Sequence, residues 1–397
     1  MIAVETLSNL PVARRRFELV ERKGLGHPDT LCDALAEAIS LALNRMYQEH
    51  AGTILHYNVD KALLVAGQCE KGFGWGRITR AMEFIVGDRA TFKVRGKRLP
   101  IEGTVKEAVD GWLAAKLPQI RSDRELDLRI VLAPGSEPLR GIFRSNQNIL
   151  PANDTVTASG YAPLSPTENL VLAIEHFLND SEFKSQFPDT GQDVKLLALR
   201  DGESVSITLA MPLLCTALAS ESHYFQRKEE ILEALQKRFQ SAPFELHWAF
   251  NCLDQHGSGS EGTYLTITGT SAEDADSGQV GRGNGVNGLI APGRPRSGEA
   301  AAGKNPVSHV GKIYSVLAHR LAGLILDRCP ELSEAYVHLA IRIGDPVDRP
   351  WVDVQILPAS GLVFSDVERV IHELVETELA RIPVFCAELA SGLYPLY

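Results

Sequence analysis

The chain predicts an α+β fold. Two observations carry that expectation: strand-like segments come in pairs joined by turn residues, and single amphipathic helices follow them in place of strict strand–helix–strand crossovers. Layers of helices over a Rossmann-type sheet are expected. At 397 residues the chain is too long for one ordinary core, so two or three domains follow.

Taken in order, an extended apolar segment over 17–20 leads into Glu21-Arg22-Lys23-Gly24-Leu25-Gly26-His27-Pro28-Asp29. A helix comes next, because Leu31, Leu35, Ile39, Ala42, Leu43 and Met46 recur at helical spacing. Thr30 and Asp33 have the spacing of a capping box, which sets the expected N-cap at Thr30. Residues 54–67 read as a strand pair or one bent strand, broken near Asn58-Val59-Asp60-Lys61. A glycine-rich loop covers 72–76 and a strand 82–86. Residues 104–117 form a short helix ended by Pro118, and 126–132 a strand.

After a loop around Asn153, Ser165-Pro166-Thr167-Glu168 opens a helix that runs to about 177. Segments 194–199 and 204–209 are joined by Arg200-Asp201-Gly202-Glu203, and Asp-Gly is a hairpin signal. A charged amphipathic helix covers 224–239. Segments 244–250 and 263–268 are expected to pair as a second hairpin across a longer Gly/Ser-rich connection. Long helices are expected over 307–327 and 366–379, with strands 335–343 and 351–356 between them.

Composition narrows the function. The 44% apolar and 23% charged content is that of a globular protein. Net charge is −10 with no long run of either sign, which disfavours nucleic acid and anionic membrane as partners. A polyanionic ligand would have to be held by local Lys and Arg, helix ends and metal ions. The six cysteines (Cys32, Cys69, Cys215, Cys252, Cys329, Cys386) are scattered, without a C-x-x-C pair, as in a reducing compartment. There is no apolar signal region, and the longest apolar stretch, 316–326, is broken by His319 and Arg320. A cytoplasmic location is expected.

Two regions carry chemistry. In the Glu21–Asp29 stretch, Gly24 and Gly26 let the backbone approach a ligand and Pro28 stiffens the exit. The helix start behind it points unpaired N–H groups at the loop, a natural place for an anion. His27 and Asp29 stand at that mouth, where one can bond a phosphate oxygen and the other hold a divalent cation. The second region, 269–284, places Glu273, Asp274, Asp276 and Arg282 in a glycine-rich loop that can form an anion-binding nest. Asp274 and Asp276 can ligate Mg²⁺, and Arg282 can take a phosphate in bidentate fashion.

Two other matches are coincidental. Gly283-x-Gly285-x-x-Gly288 follows an acidic loop instead of a strand, so the dinucleotide context is missing. Gly298-x-x-x-x-Gly303-Lys304-Asn305 lacks the Ser/Thr of a P-loop, and Pro292 and Pro295 stand where its strand should be. Lys304 remains a candidate phosphate ligand ahead of the helix carrying His309 and Lys312.

Taken together, Glu21 to Asp29, Asn153-Asp154-Thr155 with Gly160-Tyr161-Ala162-Pro163, Thr268 to Ala272, Gly281-Arg282-Gly283-Asn284, Val286-Asn287-Gly288-Leu289-Ile290 and Gly303-Lys304-Asn305-Pro306-Val307 resemble the archaeal-type methionine adenosyltransferases. The match runs in order from about residue 16 to about 345. The resemblance implies three similar sheet-plus-helix domains around a pseudo-threefold axis, here about 1–135, 136–268 and 269–397, with boundaries that are approximate and leave room for exchanged strands. It implies a homodimer with active sites at the interface, and Mg²⁺ and K⁺ as cations.

The implied reaction is attack of methionine sulfur on C5′ of ATP, expelling triphosphate that is then hydrolysed to phosphate and pyrophosphate. By the same resemblance His27 and Lys304 steady the polyphosphate, and Arg282 neutralises charge at the bridging oxygen. Asp29 carries Mg²⁺ and Asp60 lies near a cation. Asn153, Asp154, Asp276, Asn284 and Lys61 fall among the substrate-binding positions. Elementary chemistry agrees: a neutral thioether needs no base, so stabilising the departing triphosphate is the largest available help.

The acceptor side departs from the family. Ala133-Pro134-Gly135-Ser136 replaces Gly-Gln-Gly-Ser, and Val156-Thr157-Ala158-Ser159 follows Thr155 where relatives continue with Ser and Phe-Gly-Val. Gly285 stands for an arginine. Gly293, Arg296 and Gly298 stand for an aromatic residue and two methionines. Adenosyl transfer to methionine is therefore set beside transfer to another nucleophile or ATP triphosphohydrolysis, and beside a non-catalytic ATP-binding regulator. Loss of Asp29, Arg282 or Lys304 would be expected first in the last, and all three are present.

Overall fold

A computed structural model of the chain describes residues 1–143, 149–359 and 364–397. Its main strands are β1 (Ile2–Thr6), β2 (Phe17–Lys23), β3 (Asn58–Val65), β4 (Met82–Arg89), β5 (Leu126–Ala133), β6 (Val156–Ala162), β7 (Lys195–Asp201), β8 (Ser204–Ala210), β9 (Glu245–Phe250), β10 (Gly278–Gln279), β11 (Leu332–Ile341) and β12 (Trp351–Pro358). Its main helices are α1 (Pro28–Ala51), α2 (Ile101–Lys116), α3 (Pro166–Asn179), α4 (Glu221–Arg238), α5 (Val310–Arg328), α6 (Phe364–Ala380) and α7 (Ile382–Ser391). No helix among the described residues is long and apolar enough to cross a membrane.

Three four-stranded sheets share one plan, a central antiparallel pair flanked by one parallel and one antiparallel strand. Their orders are β5-β4-β3-β10, β9-β8-β7-β2 and β1-β12-β11-β6. The connectivity repeats with them: α1-β3-β4-α2-β5, α3-β7-β8-α4-β9, and α5-β11-β12-α6, whose parallel strand is the N-terminal β1. The strand ahead of each leading helix joins another unit's sheet. Thus β2 pairs with β7, β6 with β11, and β10 with β3. The three exchanges close a cycle, so the units interleave along the chain and are not contiguous thirds.

Each unit has its own apolar cluster. Alternation decides which face is buried: on β7 and β8, Leu196, Ala198, Val205, Ile207 and Leu209 point inward while Leu197 and Leu199 point out. Leu31, Leu35, Ile39, Leu43 and Met46 of α1 are all buried, each contributing about 2 kcal/mol. The capping box expected on α3 is present between Ser165 and Glu168.

Three expectations need correction. The sheets are mixed, with a single parallel pair in each, and no Rossmann-type sheet forms. The second hairpin is absent, because β9 instead lies parallel on β8 in the register Ser204 to Glu245. The N-cap of α1 is His27, not Thr30, since Pro28 is already helical at the first position.

Candidate active site

The start of α1 is where three loops are clamped together. His27 Nδ1 accepts a hydrogen bond from Asp29 N–H at 3.2 Å, which closes the cap. Gly24 N–H donates to Val194 O at 2.6 Å and Gly26 N–H to Gln192 O at 3.0 Å. Both glycines are required by contact: a Cβ at Gly24 would lie 2.6 Å from Val194 O, and one at Gly26 2.5 Å from Asp193 N. Thr270 Oγ1 donates to Gly26 O at 2.6 Å, tying in the third loop.

The segment 276–284 then runs across the helix start. A Cβ at Gly278 would lie 2.1 Å from Pro28 O, so only glycine allows this approach. Gln279 N–H donates to Asp29 Oδ1 at 3.0 Å, and Gly281 N–H to Asp33 Oδ1 at 2.8 Å. Asp33 therefore binds this segment instead of capping its own helix, and Thr30 Oγ1 donates to Lys23 O at 2.9 Å.

On one flank lies a pocket of about 410 Å³ lined by His27, Asp193, Lys195, Tyr264, Ser271 and Asp276. Burial lowers the His27 pKa to about 4, so its ring is neutral at physiological pH. With Nδ1 acting as acceptor, the proton sits on Nε2, where it can be donated to a ligand oxygen. Asp193 accepts from Ser271 N–H at 2.8 Å and from the Ser271 hydroxyl. Burial nevertheless raises its carboxyl to about 6.

On the other flank is a cleft of about 590 Å³ that Lys23, Asp33, Arg282, Asn284, Arg296 and Glu299 help to line. Lys23 Nζ lies 2.9 Å from Asp29 Oδ2 and donates to Arg282 O at 2.7 Å. Burial raises Asp33 to about 7. Asn284 gives both ends of its amide to the Lys23 backbone, at 3.0 and 2.8 Å. The Arg282 guanidinium has no hydrogen-bond or ion-pair partner among the described residues, and Arg282 is exposed.

A second group of expected site residues sits elsewhere on the chain. Lys304 is buried, with Nζ on Asp60 Oδ2 and 3.1 Å from Glu299 Oε2. Lys61 Nζ approaches the same Asp60 oxygen at 2.8 Å, and Asn58 Nδ2 donates to the other at 2.6 Å. Burial pushes the Asp60 carboxyl up, but Lys304 and Lys61 outweigh it and the net direction is down. Two ammonium groups hold this carboxylate, so positive charge gathers at Asp60. Asn153 N–H donates to Ser308 O at 3.3 Å beside the turn after Lys304, and Asp154 accepts from Thr155 N–H at 2.7 Å.

Ser40 of α1 donates to Lys304 O at 3.2 Å. Asp29 and Ser40 are eleven positions apart on α1, which is about 16 Å. Within one chain, then, His27, Asp29, Asp276, Asn284 and Arg282 gather at the helix start, while Asp60, Lys61, Asn153, Asp154 and Lys304 lie further along. The cleft reaches toward both, since Arg282 and Glu299 line it.

Asp274 is a further correction. It pairs with Lys71 at 2.7 Å and approaches Cys69 Sγ at 3.1 Å, whereas Asp276 lines the His27 pocket, so the two do not converge on a metal. Asp193 and Lys195 escaped sequence reasoning. Their only signal is an acid and a lysine flanking the buried Val194 at the start of β7.

A family model described as S-adenosylmethionine synthetase (AdoMet synthetase) matches residues 1–393. An S-adenosylmethionine synthase of Hyperthermus butylicus is 42% identical over 392 residues, covering 96% of this chain and 95% of that protein. One from Aeropyrum pernix is 41% identical over 405 residues, covering 100% and 99%. Among solved structures, an unusual S-adenosylmethionine synthetase from Campylobacter jejuni shares the fold, with a TM-score of 0.62 at 16% identity over 95% of this chain and 94% of that one.

Proposed function

The chain belongs to the S-adenosylmethionine synthetase family, and from that membership we propose that it transfers the adenosyl group of ATP to the sulfur of methionine. The sulfur lone pair forms the S–C5′ bond of S-adenosylmethionine. The C5′–O5′ bond breaks, and its electron pair leaves with the triphosphate. Family membership over nearly the whole chain carries this reading. The site supports it, because its cations and N–H groups gather where a highly charged leaving group needs them.

In this reading the tail of ATP lies at the start of α1. Neutral His27 donates Nε2–H to a phosphate oxygen, and the unpartnered Arg282 offsets charge growing on the bridging oxygen. Lys195 and Asp276, beside His27, hold the rest of the substrates. No base is needed to activate the neutral thioether. We place Mg²⁺ at Asp29, whose carboxylate holds a cation, the Lys23 ammonium, and is an oxygen donor of the hard type that Mg²⁺ takes. Bound there, Mg²⁺ would supply further charge neutralisation to the triphosphate. For K⁺ the proposal rests on family resemblance alone.

Lys304, Asp60, Lys61, Asn153 and Asp154 complete the site from a second copy of the chain in a homodimer. Their separation from Asp29 within one chain supports this, as does the outward face of the β2–β7 pair. There Phe17, Leu19, Leu197 and Leu199 are 58%, 44%, 41% and 41% exposed, an apolar patch that a second copy would cover. Six free thiols support a cytoplasmic setting. The departures at 133–136, 293 and 298 favour, as a second reading, the same transfer to another nucleophile.

Incubation with ATP, Mg²⁺ and K⁺, with and without methionine, followed by mass spectrometry of nucleoside products, separates the readings. A sulfonium product that requires methionine is expected. Adenosine and triphosphate formed equally without methionine would support another acceptor, and unchanged ATP would refute catalysis.

A further inference from the structure

The cleft beside Arg282 holds a second guanidinium that the proposed chemistry has not used. Arg296 makes one hydrogen bond, from Nη2 to Gly283 O at 2.9 Å, and no ion pair within 4 Å among the described residues. The neighbouring charges are already matched. Glu299 lies 3.1 Å from Lys304, Glu21 3.7 Å from Lys195, and Lys23 2.9 Å from Asp29. Arg294 is buried between Glu168 and Glu334. Asp33 is the remaining acid; its Oδ1 is held by Gly281 N–H and its charge offsets part of that of Arg296. With Arg282 unpaired, the two guanidinium groups together still outnumber the one acid that faces them.

A third feature of the same cleft points to a ligand. Ser315, on α5, is buried and lines the cleft, yet its hydroxyl has no hydrogen-bond partner. An unsatisfied buried hydroxyl is costly enough that native structures rarely keep one without a reason. The wall is open where a side chain would close it: a Cβ at Gly298 would meet no atom within 4 Å. Gly285 lines the cleft too.

We propose that Arg296 is a further binding residue for the phosphate tail of ATP, taking phosphate oxygens in the cleft together with Arg282, with the Ser315 hydroxyl as an added donor. This rests on the ATP reading above and deepens it. Two guanidinium groups facing one acid, Asp33, match a ligand with several negative charges, whereas a zwitterionic amino acid brings no net charge. Each guanidinium also offers the planar pair of donors that suits phosphate oxygens.

The test is calorimetric titration of inorganic tripolyphosphate into the full-length protein with Mg²⁺, comparing the parent with Arg296→Ala, Arg296→Lys and Ser315→Ala. Arg296→Ala should weaken binding at least tenfold, Arg296→Lys should recover part of it, and Ser315→Ala should lose less. The KM for methionine should stay unchanged in Arg296→Ala. Its thermal midpoint should match the parent's, because Arg296 is exposed and makes one backbone contact. Parent protein that does not bind tripolyphosphate, Arg296→Ala within twofold of the parent, or a rise confined to the KM for methionine would each overturn the proposal. If the parent makes the sulfonium product while Arg296→Ala binds tripolyphosphate normally, this subsite fails and the function stands. If Arg296 governs tripolyphosphate binding and no sulfonium forms, the subsite stands and the adenosyl reading fails.

Discussion

Replacing Asp193 with Asn separates what this carboxylate costs the fold from what it gives the site. The side chain is buried, and even with the N–H and hydroxyl of Ser271 on it the carboxyl is raised from 3.8 to about 6. A raised acid binds more protons in the folded than in the unfolded state between those values. Stability is therefore fully present below about pH 4 and is lost as pH rises through 6. A shift of about two units at ~1.4 kcal/mol each amounts to roughly 3 kcal/mol. Asn resembles the protonated form and escapes that loss.

Urea unfolding of both proteins from pH 4 to pH 8, at one fixed concentration, should show nearly equal stability at pH 4. A gap of up to about 3 kcal/mol in favour of Asp193→Asn should open by pH 7. Turnover should move the other way, falling at least tenfold, because the negative charge beside His27 and Ser271 is gone. A stability difference that stays constant across this range would refute a desolvated carboxylate at 193.

Three further outcomes follow from the same geometry. Asp29→Asn should lower turnover at least tenfold with any acceptor, about 1.4 kcal/mol or more, since charge neutralisation of the leaving group is shared; steady-state rates near the parent's would remove Asp29 from the site. Gly278→Ala forces a methyl group onto Pro28 O and should cost about 1–3 kcal/mol in thermal unfolding while weakening ATP binding. An unaltered protein would mean that the 276–284 segment is not held against the helix. Leu199→Glu places a charge on the apolar face of β7, and light scattering should report monomers, against dimers for the parent; a variant that stays dimeric would place the interface elsewhere.

The local rules read well wherever a side chain answers to its own neighbours in sequence. Ser165 and Glu168 announce α3, and Asp201-Gly202 turns β7 into β8, with Gly202 at a φ of 64°. The apolar spacing of α1 gives its buried face, but its first turn departs from the Thr30 cap because Pro28 moves the cap to His27 and frees Asp33 to hold Gly281. Strand partners were legible only for adjacent strands. Period-two alternation tells which face of β9 is buried, yet its parallel pairing with β8 is decided by the intervening α4.

The exchanged strands are hidden for the same reason. The site was half legible: glycines, His27, Asp29 and Arg282 cluster as their types suggest, because close backbone approach demands them. Asp193 and Lys195 look like ordinary strand residues until the fold brings them to His27. The distance of Lys304 from Asp29 along α1 is a tertiary fact without a local signature, and so is the closure of Asp60 by two lysines.

The account holds that the grip on the phosphate tail makes carbon, not phosphorus, the point of substitution. ATP carrying ¹⁸O in the C5′–O5′ bridge tests this directly in the presence of methionine. The label should leave entirely with the phosphate products, and the adenosyl product should carry none. Label retained on the nucleoside would show cleavage at phosphorus and contradict the account.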